Sequence, residues 1–249
     1  MSYIHTEIFR VRTSEINHRK VIHPHALIQL MQEASMQHTL GLQVSVWDME
    51  SIHATWVLLK MDVKISHYPK LNETVSVQTF PSGLNGYFTY RDYYMYGQDG
   101  QLCATISSMW TLMNIETRKM MRIPLTFDRL VYKDKFPLTH PSEKMEHKGH
   151  FECSQQTAVN YLHLDWNGHI NNVKLIELLF QSISGEILSN KTMIRCYIQY
   201  KSEAILGDIL DFSTAQSSNN TYFHHIKESQ TRREIAIAQT EWTSDLTKC

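Results

Sequence analysis

The chain has 249 residues, 42% of them hydrophobic and 20% charged, which is typical of a folded globular protein and excludes a disordered or fibrous one. Its formal net charge of −1 and pI near 6.9 give no basic surface of the kind that nucleic-acid binding needs. The N-terminal segment lacks an apolar signal region, and no stretch approaches the roughly 18 apolar residues of a membrane span.

The first half of the chain is predicted to form a strand, a long helix and then a run of strands. Alternating residues predict a strand over 6–13, and Pro24 suits the first turn of the helix. Apolar residues at helical spacing mark one helix face to about Leu40, where Gly41 predicts the end. Strands are then predicted over 55–65, 73–80, 86–96 and 102–114, with Gly or Asn-Gly turns between the later ones.

The second half repeats this order. Prolines and charges over 127–150 predict a linker between an N-terminal domain at 1–126 and a C-terminal domain at 151–249. A strand near 152–162, a helix from about His169, and strands at 192–200, 209–215, 222–228 and 234–242 follow. The pattern predicts an α+β fold with two copies of one unit, each a long helix wrapped by a curved antiparallel sheet. A single domain with one long loop is the alternative.

An internal alignment supports the repeat. The spacing from His25 to Glu33 matches that from His169 to Glu177, and the segments 104–110 and 236–242 alternate alike and end in Trp. The alignment places Val21, His23 and Tyr68 opposite Asp165, Asn167 and Glu203. Reactive side chains are therefore expected in the second half alone.

Polar side chains crowd the segment 163–172, just before the apolar run of the second helix. Asn167 and Gly168 suit the cap and the turn before a helix that we expect to begin near His169. The N–H groups and positive dipole of that helix end suit a substrate oxygen that becomes negative during a reaction. Each polar residue alone is more typical of a turn, a cap or a structural histidine. Together, Asp165, Asn167 and His169 indicate a catalytic site, because three polar groups at the mouth of an apolar helix need partners.

The string Asp-x-Asn-x-His-x-Asn-Asn-Val-Lys at 165–174 is specific, and weaker matches lie at 32–34, 91–93, 108–110, 200–203 and 240–242. Over nearly its whole length the chain resembles the acyl-acyl-carrier-protein (acyl-ACP) thioesterases of plants and bacteria. The resemblance implies two tandem hot-dog domains, no cofactor or metal, and release of free fatty acid from acyl-ACP in fatty acid biosynthesis.

Carried over by position, the resemblance implies a catalytic site formed by Asp165, Asn167, His169 and Glu203. Plant members often have a cysteine after this glutamate, whereas this chain has Ala204. Cys153 and Cys196 lie outside the motif, which disfavours a cysteine acyl-enzyme.

The residue chemistry permits hydrolysis by water. A thiol of pKa about 8.5 leaves with less help than an alkoxide, so carboxylates can suffice. We expect Glu203, helped by Asp165, to position and deprotonate water, while Asn167, His169 and the helix-start N–H groups hold the carbonyl oxygen. A covalent anhydride on one carboxylate is the open alternative.

The resemblance also implies a binding slot and a partner. It places the acyl chain in the first half, where the candidate lining residues are Leu27, Leu30, Met31, Ala34, Trp56 and Leu58. The partner is an acyl carrier protein that bears the acyl chain on phosphopantetheine. Acyl carrier proteins are acidic, so the docking candidates are Arg118, Lys119, Arg122, Arg232 and Arg233. We expect no nucleic acid, no stable membrane insertion and a cytoplasmic location, and a homodimer is left open.

Three other functions are weighed against this one. An acyl-CoA thioesterase differs only in its carrier, and the fold does not choose between the two. An acyl-chain sensor or scaffold would keep the apolar slot without turnover, and the carboxylates argue against it. A hot-dog dehydratase needs a different arrangement of histidine and carboxylate.

Overall fold

The computed structural model describes residues 4–133, 138–141, 145 and 151–244. The chain divides into two compact units, Met1–Ser142 and Glu143–Cys249. The division falls inside the segment 127–150, and much of that segment lies outside the described residues. Within the described residues, no helix combines the length and apolar character needed to cross a membrane.

The first unit is an antiparallel sheet with one long helix. Its elements are β1 (His5–Arg10), α1 (Pro24–Gly41), α2 (Val46–Glu50), β2 (Ala54–Ile65), β3 (Thr74–Asn85), β4 (Phe88–Tyr96), β5 (Leu102–Asn114) and β6 (Met120–Met121), with 3-10 turns at Thr13–Glu15 and Leu125–Leu130. The strand order is β1-β3-β4-β5-β2, and β6 adds to β5. Helix α1 packs against β1 and β3.

The second unit has the same plan. Its elements are β7 (Glu152–Ala158), a 3-10 turn (Tyr161–His163), α3 (Asn172–Gln181), α4 (Gly185–Asn190), β8 (Thr192–Tyr200), β9 (Ile209–Ser218), β10 (Thr221–Glu228) and β11 (Glu234–Thr243). The strand order is β7-β9-β10-β11-β8, with every pair antiparallel. Because this order copies that of the first unit element by element, the predicted repeat and the α+β class are confirmed.

Helix α1 forms as predicted at its start and differs slightly at its end. Pro24 occupies the first turn, where its missing N–H has no intrahelical partner to lose. Gly41 is the last helical residue, and the left-handed residue beyond it is Gln43, with φ of 56°. The buried residues of α1 form its core-facing stripe: Ala26, Leu27, Ile28, Leu30, Met31, Ala34 and His38.

Strand β3 runs to Asn85, past its predicted end at residue 80. Its register with β4 shifts between Pro81 and Gly83, so the strand continues through a bulge. A residue at a bulge need not donate a hydrogen bond to the neighbouring strand, so a proline, which has no N–H, is tolerated there. This explains why Pro81 does not end the strand.

Candidate active site

The segment predicted to start the second helix is instead a tight turn. One carboxylate oxygen of Asp165 accepts hydrogen bonds from the N–H groups of Asn167, at 2.8 Å, and His169, at 3.3 Å. The N–H of Asp165 donates to the carbonyl of His169 at 2.8 Å. Gly168 sits at φ of 74°, a conformation that glycine adopts without a Cβ penalty. The Asp165 carboxylate therefore fixes the turn that presents His169.

Helix α3 begins at Asn172, not near His169, and its cap is Asn171. The Asn171 side chain accepts from the N–H groups of Val173, at 2.8 Å, and Lys174, at 3.3 Å. These are first-turn donors that a helix leaves without intrahelical partners, and one asparagine side chain satisfies both. The prediction of an Asn167 cap is wrong.

The His169 ring meets the carboxylate of Glu203 from a neighbouring loop. Nε2 of His169 lies 3.2 Å from Oε2 of Glu203. A β-bridge between His169 and Ile205, and a 2.8 Å hydrogen bond from the N–H of Ile170 to the carbonyl of Ala204, hold the two loops together. The His169 and Glu203 side chains keep 24% and 29% of their exposure, so both are shielded and still reachable.

Asp165 belongs to the same electrostatic group. Burial raises the pKa of its carboxyl, the N–H groups of Asn167 and His169 and the charge of His169 lower it, and the charge of Glu203 raises it. The net effect is a raised pKa. The structure thus brings Asp165, His169 and Glu203 together, whereas Asn167 is exposed at the tip of the turn.

Two sequence profiles match the chain in the order of its two units. Residues 2–128 match the acyl-ACP thioesterase N-terminal domain, and residues 145–244 match the acyl-ACP thioesterase C-terminal domain. The chain belongs to the acyl-ACP thioesterase family.

Plant proteins are among the curated relatives of this chain. A chloroplastic acyl-acyl-carrier-protein hydrolase of Cuphea viscosissima is 26% identical over 254 residues, which cover 94% of this chain and 61% of the relative. The chloroplastic oleoyl-acyl carrier protein thioesterase 2 of Arabidopsis thaliana is 24% identical over 281 residues, covering 96% and 77%. The chain thus spans about three fifths of the length of the Cuphea protein. The cytoplasmic location stays a prediction.

Solved acyl-ACP thioesterases share the fold. An acyl-ACP thioesterase from Bacteroides thetaiotaomicron gives a TM-score of 0.87 at 21% identity, covering 98% of this chain and 100% of the other. The 12:0-ACP thioesterase from Umbellularia californica gives 0.86 at 20% identity, covering 97% and 94%. At these identities the likeness is one of fold, and it confirms the double hot-dog architecture.

The first unit contains the same turn without its reactive side chains. The Asn17 side chain accepts from the N–H of Arg19 at 2.8 Å, as Asp165 does from Asn167. The N–H of Asn17 donates to the carbonyl of Val21 at 2.9 Å. The backbone frame of the site is therefore present twice.

These contacts correct the internal alignment. The residues opposite Asp165, Asn167, His169 and Glu203 are Asn17, Arg19, Val21 and Tyr68. His169 therefore stands opposite Val21 rather than His25, and Tyr68 stands where the sequence placed it. The expectation that only the second half carries the reactive side chains agrees with this correction.

The predicted acyl-binding residues lie in the core of the first unit. Leu27, Met31 and Ala34 are 0% exposed on α1, and Leu30 and Leu58 are buried as well. The indole of Trp56 donates to the carbonyl of Val44 at 2.8 Å and packs beside Phe127. Their role as the lining of an acyl slot stays a prediction.

The docking candidates Arg232 and Arg233 form contacts within the second unit. Arg233 donates to the carbonyl of Glu203 and pairs with Asp208 at 3.0 Å, and Arg232 pairs with Asp211 at 2.6 Å. The other three are exposed around the turn between β5 and β6: Arg118, Lys119 and Arg122. Docking stays a prediction for all five.

Sequence reasoning missed the roles of Asn171 and Arg233. Asn171 stands four residues after Asn167, and either asparagine is chemically a good cap, so residue type alone does not choose between them. The sequence signal that favours the later start is Gly168, because a glycine suits the left-handed conformation of a turn, which a helix cannot include. No sequence signal links Arg233 to the Glu203 loop, because the contact depends on tertiary structure.

Proposed function

We propose that this chain hydrolyses the thioester of acyl-ACP and releases free fatty acid. The observation that carries the proposal is the 3.2 Å contact between His169 and Glu203, beside the Asp165 carboxylate. A base, a proton donor and a second carboxylate at one half-shielded place are what hydrolysis by water requires.

Glu203 is the proposed base. Its carboxylate takes a proton from a water molecule as the water oxygen bonds to the acyl carbon. The carbonyl oxygen becomes negative in this step, and a ring N–H of His169 stabilises that charge. When the C–S bond breaks, the leaving thiolate takes a proton from the His169 and Glu203 pair, which returns the site to its starting state.

Asp165 has a positioning role in this scheme. One of its oxygens holds the N–H groups of Asn167 and His169, so the carboxylate fixes the ring that pairs with Glu203. The proposed help from Asp165 is therefore indirect, through His169.

The helix-start N–H groups are no longer part of the proposed oxyanion site. Those of Val173 and Lys174 are taken by the Asn171 cap. The N–H of His169 is taken by Asp165. The imidazole of His169 and the exposed side chain of Asn167 remain as the proposed donors to the carbonyl oxygen.

A cysteine acyl-enzyme is not supported. Position 204, where plant members often have cysteine, is a fully buried alanine. Cys196 is 0% exposed on β8, and burial raises the pKa of the Cys103 thiol to about 11. A thiol becomes an effective nucleophile when its pKa is lowered, and the shift of Cys103 is in the opposite direction.

Release of free thiol from a panel of acyl-ACP and acyl-CoA esters of increasing chain length tests the proposal. We expect release that depends on the carrier protein and is lost in Glu203→Gln. Equal cleavage of CoA esters would contradict acyl-ACP as the preferred substrate and indicate an acyl-CoA thioesterase. Binding of acyl chains without release from either carrier would overturn the enzyme in favour of an acyl-chain-binding protein.

A further inference from the structure

The core of the first unit contains a buried cation, Arg91, that pairs with no carboxylate among the described residues. Arg91 on β4 is 8% exposed, and its Nη1 lies 3.1 Å from Nδ1 of His38 and 3.2 Å from Oγ1 of Thr79. In the part of the chain that the structure describes, no carboxylate pairs with Arg91. A buried guanidinium normally has an anionic partner, because its desolvation costs several kcal/mol.

His38 presents a second donor in the same cluster. A guanidinium can only donate, so Nδ1 of His38 accepts from Arg91 and the ring proton of the neutral histidine is on Nε2. His38 is 5% exposed, and its Nε2 has no partner among the described residues. Burial and the charge of Arg91 lower the pKa of His38 to about 3, which keeps this ring neutral.

A second buried histidine, His224, has a partner at each ring nitrogen. His224 in the second unit is 2% exposed, and its ring nitrogens lie 3.0 Å from Oγ1 of Thr214 and 2.8 Å from Oγ1 of Thr240. Both nitrogens of His224 therefore have partners. Buried polar atoms generally have partners. Nε2 of His38 is one of several described side-chain atoms without one, and its position beside the buried guanidinium of Arg91 makes this pair a candidate site for an acceptor.

The cluster lies at one end of the apolar stripe of α1. His38 follows Ala34 by one helical turn on the face that also contains Leu27, Leu30 and Met31. At about 1.5 Å per residue, the stripe from Leu27 to His38 is roughly 16 Å long, similar to a fatty acyl chain of medium length. An acyl chain bound along this stripe would meet the donors of Arg91 and His38 at one end.

We propose that Arg91 and His38 bind an oxygen atom carried by the acyl chain, so that oxygen-substituted chains are preferred over plain hydrocarbon chains of equal length. Hydroxyl, oxo and terminal carboxylate groups all offer the acceptor that the two donors lack. The inference rests on the proposed function for the nature of the substrate. It adds a polar specificity site to an otherwise apolar slot.

Equilibrium binding of free fatty acids to the whole chain tests this inference without turnover. The panel compares an unsubstituted acid with hydroxy, oxo and dicarboxylic acids of the same length, the substituent moved along the chain. One hydrogen bond to a charged or buried donor predicts a preference of roughly tenfold for the best oxygenated acid. Equal or weaker binding of every oxygenated acid by the unchanged protein would overturn the proposal, and is the result expected if ordinary water satisfies the donors.

Two substitutions at one position assign the preference to its donor. His38→Asn keeps an acceptor for Arg91 where Nδ1 stood and removes the far donor, so the preference is lost. His38→Gln places an amide N–H near the position of Nε2 and restores it. His224→Asn disturbs a matched buried ring elsewhere and leaves the preference unchanged. A preference that survives His38→Asn would remove His38 from the role, and one lost equally in His224→Asn would mark it as an effect of stability.

Thiol release from acyl-ACP, measured beside the binding panel, separates this inference from the proposed function. Preferential binding of oxygenated acids without any thiol release would contradict the proposed thioesterase reaction and support the polar binding site. Thiol release without preferential binding of oxygenated acids would support the thioesterase reaction and contradict the polar binding site.

Discussion

Nε2 of His169 lies 3.2 Å from Oε2 of Glu203, and the two residues reach each other from separate loops joined by the bridge to Ile205. Neither residue is placed by a helix terminus. Two contacts position the pair. The Asp165 carboxylate accepts a hydrogen bond from the N–H of His169, and Arg233 donates to the carbonyl of Glu203.

Replacing Glu203 with Gln removes the proposed base while the side chain keeps its size. We expect turnover of acyl-ACP to fall by about 10²- to 10⁴-fold, the usual contribution of general acid-base catalysis, with unchanged folding and acyl binding. Steady-state thiol release and urea unfolding measure the two effects. The matched control is Glu234→Gln, because Glu234 also contacts a histidine, His225, at 2.7 Å. Comparable losses in both variants would contradict a special role for Glu203.

Arg233→Ala tests whether that arginine positions the site or docks the carrier. Because Arg233 donates to the Glu203 carbonyl, we expect its loss to lower kcat on acyl-ACP and on a small acyl-pantetheine by similar factors. A docking residue would instead raise KM for acyl-ACP alone, with a strong dependence on salt. Arg232→Ala is the control, since Arg232 pairs with Asp211 and leaves the Glu203 loop intact.

Asn171→Ala should destabilise the second unit by about 1 kcal/mol, the usual effect of losing an N-cap side chain. Asn171→Asp should recover most of that stability, because a carboxylate accepts the same N–H bonds and suits the helix dipole. Urea unfolding of the variants gives the comparison. Asn167→Ala, at the exposed tip of the turn, should leave stability within about 0.5 kcal/mol of the parent. The opposite ranking would restore the Asn167 cap.

Acidification should destabilise the fold through His224. Burial lowers the pKa of His224 to about 3, whereas a histidine in the unfolded chain titrates near 6.5. Between these values the unfolded state binds a proton that the folded state does not. Stability is therefore lost as pH falls through this window, by about 1.4 kcal/mol per pH unit well below 6.5.

The measurement for this prediction is the free energy of unfolding in urea at several pH values. His224→Asn removes the titrating ring, so its stability should fall less steeply between pH 6 and 4 than that of the unchanged protein. Parallel curves for the two proteins would show that His224 is protonated in the folded state as readily as in the unfolded one.

Much of the fold follows from the sequence because strand alternation is local. Strands β5 and β8 match their predicted bounds, and the shared strand order of the two units follows from the repeat. The end of β3 does not follow, since Pro81 and Gly83 resemble a terminus and are accommodated by a bulge whose register depends on β4.

The candidate site is predictable in its residue types and less so in its geometry. The motif pointed to Asp165 and His169, and the structure joins both to Glu203. The predicted helix start is wrong because Asn167 and Asn171 are both good capping residues by type. The tertiary hydrogen bond from Ile170 to the carbonyl of Ala204 holds the segment before Asn171 outside the helix. The sequence predicts Arg233 as a docking residue for the carrier protein, and no local pattern reveals its bond to the distant carbonyl of Glu203.

The paired turns have a consequence for how such a chain can change over time. The Asn17 side chain accepts the same hydrogen bond in the first unit that Asp165 accepts in the second. The positions of His169 and Glu203, however, are occupied in the first unit by Val21 and Tyr68. What the two turns share is a short side chain that accepts a hydrogen bond at the first position, whereas the residues that correspond to His169 and Glu203 differ between them. One copy can lose or acquire reactive groups by single substitutions while its architecture persists, so duplication supplies this fold with a spare scaffold on which a new chemistry could arise.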